Sequence, residues 1–291
     1  FKCVIKYLVY NGGIMRKRNK KTGHKNFKAS YKKWLWAAFI FLSLFTVLYF
    51  HKDIIRYGYM LSRFFEPKSK ALTADVIMLP ANYKVFGIDV SRYQYDIKWN
   101  ALKGLDKNRD TIVFKFAIIK ATEGLFWEDP TFVTNWKQAH QNKIICGAYH
   151  YFKPHVSARM QALNFINSVT LQPGDLPPVI DVEEIGTLSK QELKLAVTTI
   201  ATMFEKNYGI KPILYSSINF TETYLADDFK HHTFWIAHYY APQLKISKNI
   251  NWSFWQFTDA PRLIGSASYY DVNVFKGTEL ALQKACIKKN K

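Results

Sequence analysis

Beyond residue 84 the chain alternates between short apolar runs and longer stretches in which apolar side chains return every three or four positions. The first pattern is that of a strand buried on both faces, and the second that of a helix with one buried stripe. Strands are predicted at 85–90, 113–121, 144–152, 178–183, 212–217, 233–239, 252–258 and 270–275, and helices at 97–105, 130–142, 156–169, 189–208 and 219–228. Ser189 and Glu192 open the longest of these helices at the spacing of a capping box. Eight strands joined mainly by helices within about 200 residues predict mostly parallel pairing, and so an α/β fold of the (β/α)-barrel type; an open doubly wound sheet is the alternative topology. Too little chain separates the last three strands for full helices, so the barrel is expected to depart from the TIM-like repeat there.

Before residue 85 the pattern changes. Residues 34–50 carry no charge, and at about 1.5 Å per residue they reach the lower limit for a bilayer-spanning helix. Trp34, Trp36 and Tyr49 suit the two interfaces, and Leu48-Tyr49-Phe50-His51-Lys52 lacks the small residues of a cleavage site. The segment is expected to be an uncleaved transmembrane signal anchor, with a cleaved signal or a buried soluble helix as alternatives. Residues 1–33 contain eleven Lys and Arg and no acid, which by the positive-inside rule keeps them in the cytoplasm and exports everything after residue 50. Met15-Arg16-Lys17-Arg18 begins a typical basic leader, so Met15 is a candidate start and 1–14 a candidate foreign extension. Residues 51–84 read as a stalk, 85–280 as the barrel and 281–291 as a basic C-terminal end. The expected location is a single pass in a bacterial cytoplasmic membrane, with the barrel on the wall side.

The formal net charge of +19 would suit a nucleic-acid binder, but more than half of the excess lies in the basic tail beside the apolar segment, so no nucleic-acid partner is expected. An aromatic content of 16% offers rings both for core packing and for stacking on sugars. Cys3, Cys146 and Cys286 do not make a disulfide framework, and Cys146, inside an apolar run, is expected to be a small buried hydrophobe. There is no glycine-rich phosphate loop, nucleophile elbow or paired-histidine zinc helix, and the adjacent His231 and His232 diverge. No metal or organic cofactor is expected.

The chemistry gathers at strand ends. Leu176 to Glu184 is an apolar run closing on Asp181 and Glu183, two acids one residue apart whose side chains share a strand face. Asp89 ends another apolar run, and Asp271 lies in a third. Two close carboxyls cannot both ionise freely, and a protonated acid beside an ionised one is the equipment for cleaving a glycosidic bond. A strand-end pair that caps a helix or meets a lysine is the plainer reading of Asp181 and Glu183 alone. Among other inward candidates, Lys120 can bind sugar hydroxyls or pair with an acid, and Tyr149 and Tyr151 share one strand face. Trp235 and Trp255 are candidate sugar platforms or core residues. Gln256, polar in an apolar strand, is a candidate pocket hydrogen-bonder.

Eight blocks of sequence then carry a resemblance. They are Phe86-Gly87-Ile88-Asp89-Val90-Ser91 with Gln94 and Trp99, Ile119 to Gly124, Gly147 to Phe152, Pro178 to Glu183, Ile213-Leu214-Tyr215-Ser216, Phe234 to Tyr239, Phe254-Trp255-Gln256-Phe257, and Tyr270-Asp271-Val272-Asn273. In this order the stretch 85–277 resembles the glycoside hydrolase family 25 lysozymes. The resemblance implies a modified barrel of five βα units and three further strands. It also implies an N-acetylmuramidase that cuts the β-1,4 bond between N-acetylmuramic acid and N-acetylglucosamine. Glu183 matches the general acid, and Asp181, Asp89 and Asp271 match the other acids of the pocket. Lys120, Tyr149, Tyr151, Tyr215, Trp235, Trp255 and Gln256 fall among the substrate-binding positions. An ionised Asp181 would raise the pKa of Glu183, while Asp89 and Asp271 would hold the sugar or stabilise an oxocarbenium-like transition state. The resemblance leans toward retention of anomeric configuration, with the substrate's acetamide as a possible nucleophile. The catalytic domain is expected to act as a monomer on peptidoglycan glycan strands. The competing reading is a catalytically silent peptidoglycan-binding scaffold on the same barrel.

Overall fold

The protein is described here by a computed structural model at residues 35–36, 38–43, 74–95, 97–264 and 266–288. Eight strands close a barrel: β2 (Val85–Val90), β4 (Thr111–Glu123), β6 (Ile145–Tyr151), β7 (Val179–Asp181), β8 (Ile213–Ser217), β9 (Phe234–Ala237), β10 (Trp252–Thr258) and β11 (Asp271–Phe275). Neighbours pair in parallel from β2 through β4 and β6 round to β10, and β11 then runs antiparallel to both β10 and β2. That last pairing rules out the open sheet. Three further strands lie off the ring: β1 (Val76–Ile77) pairs with β3 (Lys103–Asp106), β3 pairs with the start of β4, and β5 (Trp127–Glu128) pairs with its end. The helices are α1 (Phe132–Gln141), α2 (Ala158–Ser168), α3 (Lys190–Tyr208), the short α4 (Ile218–Phe220) running into a π turn at Thr221–Leu225, and α5 (Glu279–Ala285).

Strand alternation sorts the apolar residues into two layers. One barrel face contributes Val85, Phe116, Ile118, Val179, Ile213, Tyr215, Trp235, Phe254 and Phe275 to one cluster; the other contributes Ile88, Ala117, Ile119, Ile180, Leu214, Ile236, Trp255, Val272 and Val274 to a layer shared with the helices. Fully burying such side chains gives about 1.5–3 kcal/mol each, so these two layers dominate what holds the barrel closed. Gly87 faces inward where the Phe116 ring fills the barrel; a Cβ there would lie 2.4 Å from that ring. The capping box at α3 forms as predicted, Ser189 accepting from the Glu192 amide and the Glu192 carboxylate accepting from the Ser189 amide at 2.7 Å. Cys146 is fully buried, as expected.

The helix predicted at 97–105 is absent, and the segment instead turns into β3. Asp106 accepts from the backbone amides of Asn108 and Asp110, and Arg109 takes a positive φ of 66°, so a polar turn folds β3 back antiparallel on β4. The predicted helix at 219–228 is shorter and ends in the π turn. Val76–Ile77, within the predicted stalk, is a strand, and Asp75 binds the Arg262 guanidinium at 3.1 Å. Leu282 and Cys286, assigned from sequence to a basic C-terminal end, are buried with Val85, Phe116 and Phe275. Of the predicted anchor 34–50, residues 35–36 and 38–43 are described as helical and exposed. Among the described residues no helix is long and apolar enough to cross a membrane. The start at Met15 and most of the stalk fall outside the described residues.

Candidate active site

Three strands and one loop bring the four acids to one rim of the barrel. Asp89 lies one residue before the end of β2, Asp181 ends β7, and Glu183 follows two residues later. Asp271 opens β11, and because that strand is antiparallel its first residue stands in register with Asp89. Asp89, Asp181 and Asp271 each feel the charge of Glu183, and Glu183 is hydrogen-bonded to Asp181. The strand at 178–183 is shorter than predicted, so Glu183 sits on the loop rather than in the ladder.

Burial is the first cause of the unusual acidity of this group. It pushes Asp89 up to about 7, against the bonds from Asn273 and Gln256 that pull it down. It pushes Asp181 and Asp271 well above the ordinary carboxylate range, with neighbouring charge adding to the effect. Glu183 is raised as well, again first by burial. Asp181 and Glu183 are hydrogen-bonded to one another, so the two carboxyls share a proton between them. Asp181 Oδ1 is buried without a donor to it from the surrounding residues.

Asp89 is held by directed donors. Gln256 Nε2 donates to Asp89 Oδ2 at 2.8 Å and Asn273 Nδ2 donates to the same oxygen at 2.7 Å. Tyr215 and Tyr239 both donate to Gln256 Oε1, at 2.6 and 2.7 Å, and the Trp235 indole N–H donates to Asn273 Oδ1 at 2.7 Å. The polar atoms of Tyr215, Trp235 and Gln256 are thus engaged with one another and with Asp89. Trp235 is buried and tilts against Tyr215 at 4.3 Å, so it offers no open platform to a sugar. Trp255 is further from that role: it packs in the layer shared with the helices, and its N–H bonds to the His238 carbonyl. Asn273 and Tyr239 are members of the site not singled out from sequence.

The opposite side of the rim is charged. Lys120, buried, donates to Glu123 Oε2 at 2.6 Å, and Lys153 reaches Glu123 at 3.4 Å and Glu184 at 3.3 Å. Burial pushes Glu123 upward, but the two ammonium groups outweigh it and hold the carboxyl below its ordinary range. Cations and rings alternate along this side: Arg92 lies 4.9 Å from Tyr93 and 4.7 Å from Trp127, Lys120 lies 5.1 Å from Trp127 and 4.8 Å from Tyr151, and Lys153 lies 4.5 Å from Tyr151. Tyr149 stands between the two sides; burial raises its phenol, and the charges of Asp181, Asp89 and Asp271 raise it further. Among the described residues no cluster of His, Cys, Asp or Glu could hold a metal ion.

A hydrogen-bonded acid pair, both members raised by burial, at the mouth of a barrel beside two further carboxyls is the equipment of a glycoside hydrolase. Residues 88–266 match the model of the glycosyl hydrolases family 25, and the chain belongs to that family. It is 44% identical over 207 residues to an uncharacterized protein, YegX, of Escherichia coli K12, covering 71% of this chain and 75% of that one. Lysozyme M1 of Streptomyces globisporus is 26% identical over 212 residues, covering 68% of this chain and 70% of its own. Among solved structures, a family 25 glycosyl hydrolase from Bacillus anthracis superimposes with a TM-score of 0.63 at 32% identity, over 74% of this chain and 99% of that one.

Proposed function

We propose that this protein is a muramidase that hydrolyses the β-1,4 bond between N-acetylmuramic acid and N-acetylglucosamine in peptidoglycan, with Glu183 as general acid. The observation that carries the reading is the hydrogen-bonded Asp181–Glu183 pair, raised by burial, on the same rim as Asp89 and Asp271. A proton retained at neutral pH is what the leaving oxygen requires. Asp181 is bonded to the acid itself, which suits it to supply and orient that proton rather than to attack the sugar. Asp89 and Asp271 lie where a carboxylate can orient the sugar's acetamide and stabilise the positive charge of an oxocarbenium-like transition state. In that arrangement the acetamide oxygen is the nucleophile, and configuration is retained.

Lys120, Tyr149 and Tyr151 are the substrate contacts we retain from the sequence; Tyr215, Trp235 and Gln256 act on the site from beneath it. The uncharged segment 34–50 and its basic flank support tethering of the enzyme to the outer face of a bacterial cytoplasmic membrane. Sedimentation of the full chain with membranes after alkaline carbonate washing tests the tether, and its release would refute it. The muramidase assignment is tested by reducing ends released from purified peptidoglycan by wild type and Glu183→Gln. Loss of a general acid lowers the rate by about 10²–10⁴-fold, and equal rates would refute the assignment.

A further inference from the structure

The two amides that address Asp89 are each anchored from behind, and the anchors fix which way each amide points. An indole N–H can only donate, so the oxygen of Asn273 must face Trp235 and its NH₂ must face Asp89. Gln256 must likewise give its NH₂ to Asp89, which leaves Oε1 to accept from both Tyr215 and Tyr239. An amide turned the other way would set its oxygen against a carboxylate and its NH₂ against donors. Both donors converge on Oδ2, so the network distinguishes the two oxygens of one acid.

We infer that Tyr215, Tyr239 and Trp235 are positioning residues for the hydrolysis: acting through Gln256 and Asn273, they lock both amides onto Asp89 Oδ2 and reserve Oδ1 as the substrate-facing acceptor. The inference rests on the proposed muramidase reading for its consequence but not for its geometry. Five hydrogen bonds of 2.6–2.8 Å, from four different strands or their ends, all run in one direction, toward Asp89. Donors lined up this way polarise one another and favour the ionised acid over the protonated one. When Asp89 does take up a proton, Oδ2 is already occupied by two N–H groups, so the proton goes to Oδ1 and removes the acceptor that substrate needs. Tyr215 and Trp235, which look like sugar contacts by position, are thereby assigned with Tyr239 to the acid's orientation. A direct contact with substrate and a relay of this kind predict different kinetics.

The full chain is tested with Tyr215→Phe, Tyr239→Phe and Trp235→Phe, each of which keeps a ring and deletes one donor. Each Tyr→Phe change is expected to lower kcat by about three- to tenfold with KM unchanged, the scale of one lost hydrogen bond. In a Gln256→Ala background the same changes are expected to cost nothing further, because the relay passes through that amide. Gln256→Glu, which can still accept from the phenols but has no N–H for Asp89, is expected to lose activity. Titration of the Asp89 carboxyl carbon by NMR gives a readout independent of turnover: its midpoint should rise in every donor-deleted variant. An unchanged midpoint overturns the inference, as does a rise in KM alone or full additivity with Gln256→Ala. A midpoint that rises in the variants, where the wild-type protein does not cleave peptidoglycan, would uphold the relay and refute the muramidase reading.

Discussion

The two sides of the rim solve the same problem, holding charge out of water, by opposite means. On the side of β2, β10 and β11 one acid, Asp89, is addressed only by neutral donors, and burial drives it toward its protonated form. On the side of β4, β5 and β6 an acid is met by two ammonium groups and stays ionised, with aromatic faces taking up the remaining field. The first arrangement sacrifices stability to leave a reactive group poised near neutral pH. The second is a strut that stabilises the fold and shapes the cleft. Substitution on the two sides should therefore change stability with opposite sign while lowering activity on both.

The sharpest break is Asp89→Asn. Activity should fall by about 10²–10³-fold, the size of effect seen when an electrostatic stabiliser is removed. Stability should move the other way. Asp89 titrates near 7 in the fold against 3.8 in the unfolded chain, so between these values the native state holds a proton that the unfolded state has released. Stability therefore falls as pH rises through that window, and above 7 the full penalty applies. The Asn variant escapes it, gaining on the order of a few kcal/mol over wild type at pH 8 and nothing near pH 3. Urea denaturation at the two pH values measures the difference; an Asn variant less stable at pH 8 would contradict the account.

Lys120→Met is the counterpart on the charged side. Glu123 keeps Lys153 but loses its closer partner, at 2.6 Å, and the expected cost is about 1–3 kcal/mol, less than for a fully buried pair. Because the Glu123 pKa is lowered in the fold, its contribution is present above the unfolded value of 4.5 and is lost as pH falls through the folded value. The variant's deficit should accordingly shrink in acid, where wild type loses the same ion pair. Activity should drop about tenfold through the displaced Tyr151 and Trp127 rings. A variant as stable as wild type at pH 7 would show that the ion pair is not a strut.

The difference between the sides also explains what could be read from the chain. Strand alternation carried two of the acids and one of their partners: Asp89, Asp181 and Gln256 all face inward, as period two requires. The same rule excludes Trp255 from the cleft, since it is adjacent to Gln256 in one strand and must face the other way. Asn273, polar between Val272 and Val274, bears the signal that singled out Gln256. Glu123 could not be found this way. Lys120 and Glu123 are three apart and would point to opposite faces of a regular strand, but the β4–β6 register shifts between Lys120 and Thr122 and turns both inward. The helix expected at 97–105 failed for a related reason: the Asp106 side chain closes a turn on two backbone amides, and the turn, not the apolar spacing, decides the segment.

The mildest prediction concerns how the charged side is held upright. β5 folds back on the end of β4, and the turn between them carries Phe126 into solvent. Asn164 on α2 donates to the carbonyls of Gly124 and Trp127, at 3.2 and 3.3 Å, pinning both arms of this hairpin to the barrel. Asn164→Ala releases both carbonyls to water, so it should cost about 1 kcal/mol or less, since each bond exchanges for one to solvent. The catalytic acids are untouched, and kcat should hold. The Trp127 ring, stacked between Arg92 and Lys120, loses its fixed height above the cleft, and KM for glycan strands should rise about two- to threefold. Steady-state kinetics on solubilised glycan strands separate the two constants. A fall in kcat at constant KM would mean that the hairpin acts on the acids, and that the two sides of the rim are coupled rather than independent.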